Sequence, residues 1–291
     1  MRFDVSPELR LFGESVRAAA GGSQPPREPD LGTWLDDRDD ALAERLARAG
    51  WGELWEGDLG PVVAGGLELG RAVAPACMLD EATLGAPLSV AGRIRHGAET
   101  ATCAVPQPGW GLALARVSER SPERTLDGTG TVLGAAEELD PVPESDADAR
   151  WSAWTAATLA YLAGLADATL DAAVTHARAR EQFGKPLSAL PAVQARLADA
   201  ALAVDGLLLA AWGAAAPPGR ADSDLSPPSN SRLQGRVSSL LWAGVACREV
   251  TASAHQVHGA VGFALESGLH RYYRRAKATQ VWAAVVCREC T

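Results

Sequence analysis

Apolar residues recur in steps of three or four along Leu159, Leu162, Ala166, Leu170, Val174 and Ala177, which places them on one face of a helix. That helix is expected to be largely buried and to stop at Gly184, which tolerates the left-handed conformation past a helix end, with Pro186 unable to continue it. A second run starts near Pro191 and sets Val193, Leu197, Ala200, Val204 and Leu208 on its inner side, so the two read as an antiparallel helical pair. Leu233 to Val257 resumes the helical period, with Val237, Leu241 and Val245 in register.

Nearer the start, Glu8 to Ala20, Asp36 to Ala49 and Pro61 to Val73 carry the same pattern, the second with a charged outer face. Gly21 to Pro29 is a loop, and Pro217 to Ser231, with two Pro-Pro pairs, is a long connection between helices. Between Gly92 and Arg150 the period shortens. Short strand candidates run over Thr102 to Val105, Leu112 to Val117, Arg124 to Leu126 and Thr131 to Leu133, and turn residues fill Pro106 to Trp110. Asp140 to Ala149 reads as a linker. The division is an N-terminal helical domain over 1–90, a reduced β segment with its linker over 91–150, and a C-terminal helical bundle over 151–291, mainly α throughout.

Composition agrees with helix as the majority state, since Ala, Leu and Gly dominate and aromatics are only 5%. A formal charge of −9 argues against nucleic acid or an anionic membrane surface as a partner. No apolar run is expected to reach the length of a membrane span, no export signal precedes the first helix, and a cytoplasmic location follows. Cys77, Cys103 and Cys247 are isolated and Cys287 and Cys290 have no partner pair at metal-ligand spacing, so the thiols read as reduced and no metal site is expected.

Candidate chemistry sits in two stretches. In Ala177-Arg-Ala-Arg-Glu-Gln-Phe-Gly-Lys-Pro-Leu187, Arg180 and Gln182 are placed in the last helical turn. The planar fork of Arg180 suits a phosphate or carboxylate, and equally suits the last carbonyls and the dipole of its own helix. In the second stretch Gln256 and His258 close a helical run, and Gly259 and Gly262 let a bulky partner approach the backbone. His255 and His258 read as hydrogen-bonded structural imidazoles, Glu266 as a cap for the next helix, and Arg271, Arg274, Arg275 and Lys277 as a basic face.

The order and spacing of these two motifs resembles the C-terminal domain of the acyl-CoA dehydrogenase family, and Leu46-Ala-Arg-Ala-Gly-Trp51 and Leu69-Gly-Arg-Ala-Val-Ala-Pro75 resemble its N-terminal helical domain. The resemblance implies a four-helix C-terminal bundle and FAD sites shared across a subunit interface. It matches Arg180, Gln182 and Phe183 to residues that reach the adenosine and pyrophosphate end of a neighbour's flavin, with Gln256 and Gly259 as the second strip of that reach.

The family's catalytic base, by the same resemblance, falls at Ala283 or, in other members, at Trp154 beside Thr155, and neither side chain can take a carbon-bound proton. Val285 and Cys287 stand where contacts to the chain's own flavin belong. The expectation is a subunit without a catalytic residue of its own, working with a full-length acyl-CoA dehydrogenase subunit on an acyl-CoA substrate, steroid-derived in some similar enzymes, with an electron-transfer flavoprotein as acceptor. Two other readings are a scaffold turned to dehydration or isomerisation through His258 or Glu266, and a structural partner that binds no cofactor.

Overall fold

The structure, a computed structural model, describes residues 5–21, 40–95, 101–124, 130–216 and 229–291. The loop expected over Gly21 to Pro29, the start of the helix expected from Asp36, most of the strand expected over Arg124 to Leu126 and most of the Pro217 to Ser231 connection lie outside the described residues.

Eight helices are described: α1 (Pro7–Ala20), α2 (Asp40–Arg48), α3 (Gly60–Arg71), α4 (Cys77–Leu84), α5 (Glu144–Ala179), α6 (Pro191–Ala215), α7 (Ser229–His258) and α8 (Leu269–Cys290). The strands are β1 (Ser89–Val90), β2 (Arg93–Arg95), β3 (Thr102–Gln107), β4 (Gly111–Arg124), β5 (Gly130–Pro141), β6 (Glu181–Gln182) and β7 (Lys185–Pro186). Helix α1 starts as its sequence dictates, with the Ser6 hydroxyl accepting from the Leu9 amide at 3.3 Å, Pro7 in the first turn and Glu8 facing the positive end of the dipole.

The long α5 is the axis of the molecule. From Trp151 to Ala166 nearly every residue is buried, because α3 and α4 cover one side and α6, α7 and α8 the others. A helix apolar all round belongs in a protein core or a membrane, and here the other helices cover it. It crosses α3 at backbone contact: a Cβ on Gly164 would stand 2.0 Å from the Leu67 carbonyl oxygen, and one on Gly70 would stand 2.1 Å from that of Tyr161. The Tyr161 hydroxyl donates to the Ala74 carbonyl at 2.6 Å, so this buried polar tip is satisfied. One hydrophobic cluster runs from Val16 to Cys290, and the helices before the sheet therefore share a core with those after it.

Several expectations need correction. Residues 144–149 are not linker but the first turns of α5, where Glu144 and Asp146 favour the helix N-terminus. Helix α5 ends at Ala179, not at Gly184. Helix α4 had no period of its own to reveal it, being buried on nearly every side. In α7 the buried stripe is Leu240, Ala243, Cys247 and Val250, one position off the expected register, which leaves Leu241 and Val245 exposed. Both α5 and α6 are long and apolar enough to cross a bilayer by length and composition, contrary to the expectation that no run would be; the most apolar window of α5 is 67% buried inside the fold and that of α6 only 22%.

The middle segment is a five-stranded antiparallel sheet ordered β1-β2-β5-β4-β3, with β4 and β5 longer than their sequence suggested. The β4–β5 ladder slips between Leu114 and Arg116, where Glu138 and Leu139 together oppose Ala115 and Glu138 takes φ +52°, a bulge. Trp110, Trp151 and Trp154 join sheet to helices: successive rings meet edge to face at 5.5 Å, and the Trp151 indole donates to the Gly111 carbonyl at 3.2 Å.

Candidate functional site

Where α5 ends, the backbone of Arg180 turns extended (φ −87°, ψ 125°) while its N–H still reaches the His176 carbonyl. Arg180 and Gln182 are thus not in the last helical turn, as expected, but at the base and on the first strand of a tight hairpin, in which Glu181 pairs with Pro186 and Gln182 with Lys185. The two residues at its tip, Phe183 (φ +57°) and Gly184 (φ +71°), are both left-handed, the requirement of a type I′ turn. Glycine takes that conformation without cost and phenylalanine does not; the penalty is about 1 kcal/mol. Phe183 is 89% exposed, so its side chain gains little from packing on the described residues, and the hairpin pairing holds the turn.

The second motif meets the first at the same end of the bundle. Ala254 and Val257 of α7 pack on Ala173 and Ala177 of α5, with Leu187, Val193 and Leu197 closing the cluster. Above it the rings of His176 and His258 stack at 4.2 Å and 26°. The His258 Nδ1 lies 2.8 Å from the Ala254 carbonyl, which can only accept, so Nδ1 carries the proton and a neutral ring keeps its lone pair on Nε2. Burial, the His258 ring and the Arg180 charge together hold the His176 pKa below the ordinary imidazole value. Gln256 is exposed, and Gly259, also exposed, takes φ +63° at the start of a 3-10 turn. Val261 and Phe263 on that turn are exposed as well.

All five sequence-predicted residues, Arg180, Gln182, Phe183, Gln256 and Gly259, are solvent-exposed on the hairpin and the closing end of α7. Their donor set, a guanidinium and two carboxamides beside an unshielded aromatic ring, suits a nucleotide's phosphates and base. His176 was not singled out from the sequence; the only signal was its position four residues before Arg180.

The other candidates are structural. His255 is buried, its Nδ1 against the Thr251 carbonyl at 2.8 Å and its ring edged by Phe263 and Tyr273. Glu266 is exposed and does not cap α8, contrary to expectation; the Ser267 hydroxyl accepts from the Leu269 amide at 3.3 Å, and Gly268 holds the cap position. Arg271, Arg274, Arg275 and Lys277 are not one solvated face, because Arg275 is buried and Arg271 and Arg274 are partly covered. Among the described residues no group of three or more His, Cys, Asp or Glu is placed to hold a metal ion. A cavity of about 420 Å³ opens between α1, α3 and α6, and three of its charged residues are paired with one another: Glu68 accepts from Arg17 at 2.6 Å and from Arg71 at 2.6 Å.

The positions that the family resemblance assigns to a base lie in the core. Ala283 is buried on α8, and Trp154 donates its indole N–H to Asp80 Oδ1 at 2.9 Å. Asp80 in turn holds Arg95, whose Nε donates to Oδ2 at 2.8 Å and whose guanidinium lies 5.2 Å from the Trp282 ring. Burial opposes the Arg95 charge, yet the adjoining carboxylate outweighs it and keeps the group above its ordinary pKa.

A two-layer arrangement of N-terminal helices and a C-terminal bundle astride an antiparallel sheet is the acyl-CoA dehydrogenase fold. The ChsE4-ChsE5 complex from Mycobacterium tuberculosis aligns over 99% of this chain and 96% of the solved chain at 20% identity with a TM-score of 0.73. A Tcur3481-Tcur3483 steroid ACAD aligns over 97% and 96% at 18% identity with a TM-score of 0.72. Residues 154–283 match the family described as acyl-CoA dehydrogenase, C-terminal domain. The C-terminal stretch thus matches the acyl-CoA dehydrogenase family, and the fold of the whole chain is that family's. The short-chain specific acyl-CoA dehydrogenase of Bos taurus is 35% identical over 119 residues, which span 41% of this chain and 27% of that enzyme.

Proposed function

We propose that this chain is the non-catalytic subunit of a heteromeric acyl-CoA dehydrogenase, lending Arg180, Gln182, Phe183, Gln256 and Gly259 to an FAD seated largely on a full-length partner. One observation carries the reading. The residues matched to a neighbour's flavin stand exposed at one end of the bundle, whereas the positions matched to a base are sealed in the core as Ala283 and Trp154. The left-handed, exposed Phe183 adds support, because a large apolar side chain held out at a turn where asparagine or glycine would fit better is explained by a contact with another molecule.

In this reading Arg180 pairs with the flavin diphosphate through its fork, the carboxamides of Gln182 and Gln256 orient the nucleotide, and Gly259 admits its approach. FAD, when bound, supplies the hydride acceptor. The partner supplies the carboxylate that takes the substrate's α-proton, and the substrate is an acyl-CoA thioester. Two of the similar structures are described as a steroid ACAD and a mycobacterial ChsE4-ChsE5 complex, which favours a bulky, steroid-derived acyl group and a two-chain assembly. Electrons then pass to an electron-transfer flavoprotein.

Co-expression with a full-length acyl-CoA dehydrogenase encoded beside it tests the reading. A yellow complex holding one FAD per pair of unlike chains, and no flavin on this chain alone, is expected. A full complement of FAD on the isolated chain, or an Arg180→Ala complex with unchanged FAD affinity, rejects it.

A further inference from the structure

We propose that His176, stacked on the His258 ring, forms a second cationic arm of the nucleotide site and takes up a proton when a diphosphate docks beside Arg180. The inference rests on the nucleotide-binding reading above and adds to it two residues and a proton.

The geometry makes His176 hard to charge in the empty state. The rings lie face to face at 4.2 Å, and the charged groups facing His176 are His258 from α7 and Arg180 from the hairpin, both of which oppose its protonation after burial has done so. Ala177 and Val257, the chain neighbours of the two histidines, belong to an apolar cluster with Val193 and Leu187. Both histidines are partly open to solvent, so a ligand can meet them without rearrangement.

A diphosphate beside Arg180 reverses the balance. Its negative charge cancels the repulsion from the guanidinium and favours the imidazolium form, so the bound pKa rises above the free one. By linkage, a group whose pKa rises on binding makes binding tighter as pH falls through the interval between the two values. Imidazole places that interval near neutrality.

The test uses the complex with its partner and FAD as the probe. Calorimetric titrations in two buffers of different ionisation enthalpy give the protons taken up per FAD, and Kd is measured at about pH 6 and about pH 8. The intact complex is expected to take up about one proton more than a His176→Phe complex, and to gain about tenfold more affinity on acidification. Phenylalanine keeps a ring in the stack, and His176→Gln serves as the second variant should the first fail to fold. Equal proton uptake and parallel pH profiles in the intact and variant complexes overturn the inference while leaving the Arg180 site standing. If FAD fails to bind the complex, or Arg180→Ala leaves its affinity unchanged, the inference and the functional reading fall together.

Discussion

Trp154 gives its indole N–H to the same Asp80 carboxylate that holds the Arg95 guanidinium, and all three side chains are sealed in the core. The arrangement ties α4, α5 and β2 around a buried charge pair.

Removing one partner strands the other. Asp80→Ala leaves Arg95 charged and uncompensated, and should cost about 3–5 kcal/mol in urea unfolding. Replacing both, as Asp80→Leu with Arg95→Met, removes the stranded charge and should recover most of that loss. A double variant no more stable than Asp80→Ala would mean that the surroundings, rather than the charge pair, set the cost.

The crossing of α3 and α5 makes a sharper demand. With the Leu67 carbonyl oxygen 2.0 Å from where a Cβ on Gly164 would sit, Gly164→Ala must force the helices apart. The expected loss is about 1–3 kcal/mol or more, the range for overpacked cores. Gly213, which has open space around it, takes the same substitution without a clash, and Gly213→Ala should leave the midpoint unchanged or raise it slightly, by about 1 kcal/mol at most.

These contacts also mark how far the sequence could be read. The axis α5 was legible because its apolar residues are dense and periodic, and its partner α6 because Pro191 opens a long apolar run. The start of α5 was not, since Glu144, Ser145, Asp146 and Asp148 read as linker composition when they are the acidic first turns of a helix. Helix α7 is apolar on two sides, and periodicity alone cannot say which faces this chain's core and which faces outward. In the hairpin the residues of the site were found but their backbone was not, because a left-handed phenylalanine is a poor prior for any turn.

The cysteines give a pH prediction. Burial pushes the Cys287 thiol up to about 11 and that of Cys290 to about 12, against an ordinary 9.0, and raises Cys77 and Cys247 further. A thiol whose pKa is raised on folding contributes stability in full below its unfolded value and loses it as pH climbs toward the folded one. The thiols should therefore make unfolding easier as pH rises above 9.0, through about 11 for Cys287 and about 12 for Cys290, by up to roughly 1.4 kcal/mol per pH unit for each thiol. All five cysteines are buried, and a thiol reagent should titrate none of them in the native chain and all five after unfolding.

Phe183 separates stability from binding. Asparagine tolerates the left-handed conformation that Phe183 is held in, so Phe183→Asn should stabilise the isolated chain by about 0.5–1 kcal/mol. The same change should weaken FAD retention in the complex, because the exposed ring is lost. Stabilisation with unchanged retention would show that the ring has no contact in the assembly.

The surface offers one more separation. Leu202 is 70% exposed on α6, and Leu241, Trp242 and Val245 stand out from α7. Trp242 bridges the two helices: its ring lies 3.0 Å from where a Cβ on Gly206 would be, which joins the exposed side chains into one apolar band. A band of this kind is expected to be covered by another chain. Leu202→Asp combined with Leu241→Asp places two charges there without disturbing the core stripe of Leu240, Ala243 and Cys247. Exposed substitutions of this sort change stability by about 0.5 kcal/mol or less. The isolated variant should therefore unfold at nearly the original midpoint, while sedimentation of the co-expressed complex should show dissociated chains. A complex of undiminished mass would place the subunit contact on another face of the bundle and leave the band to a different partner.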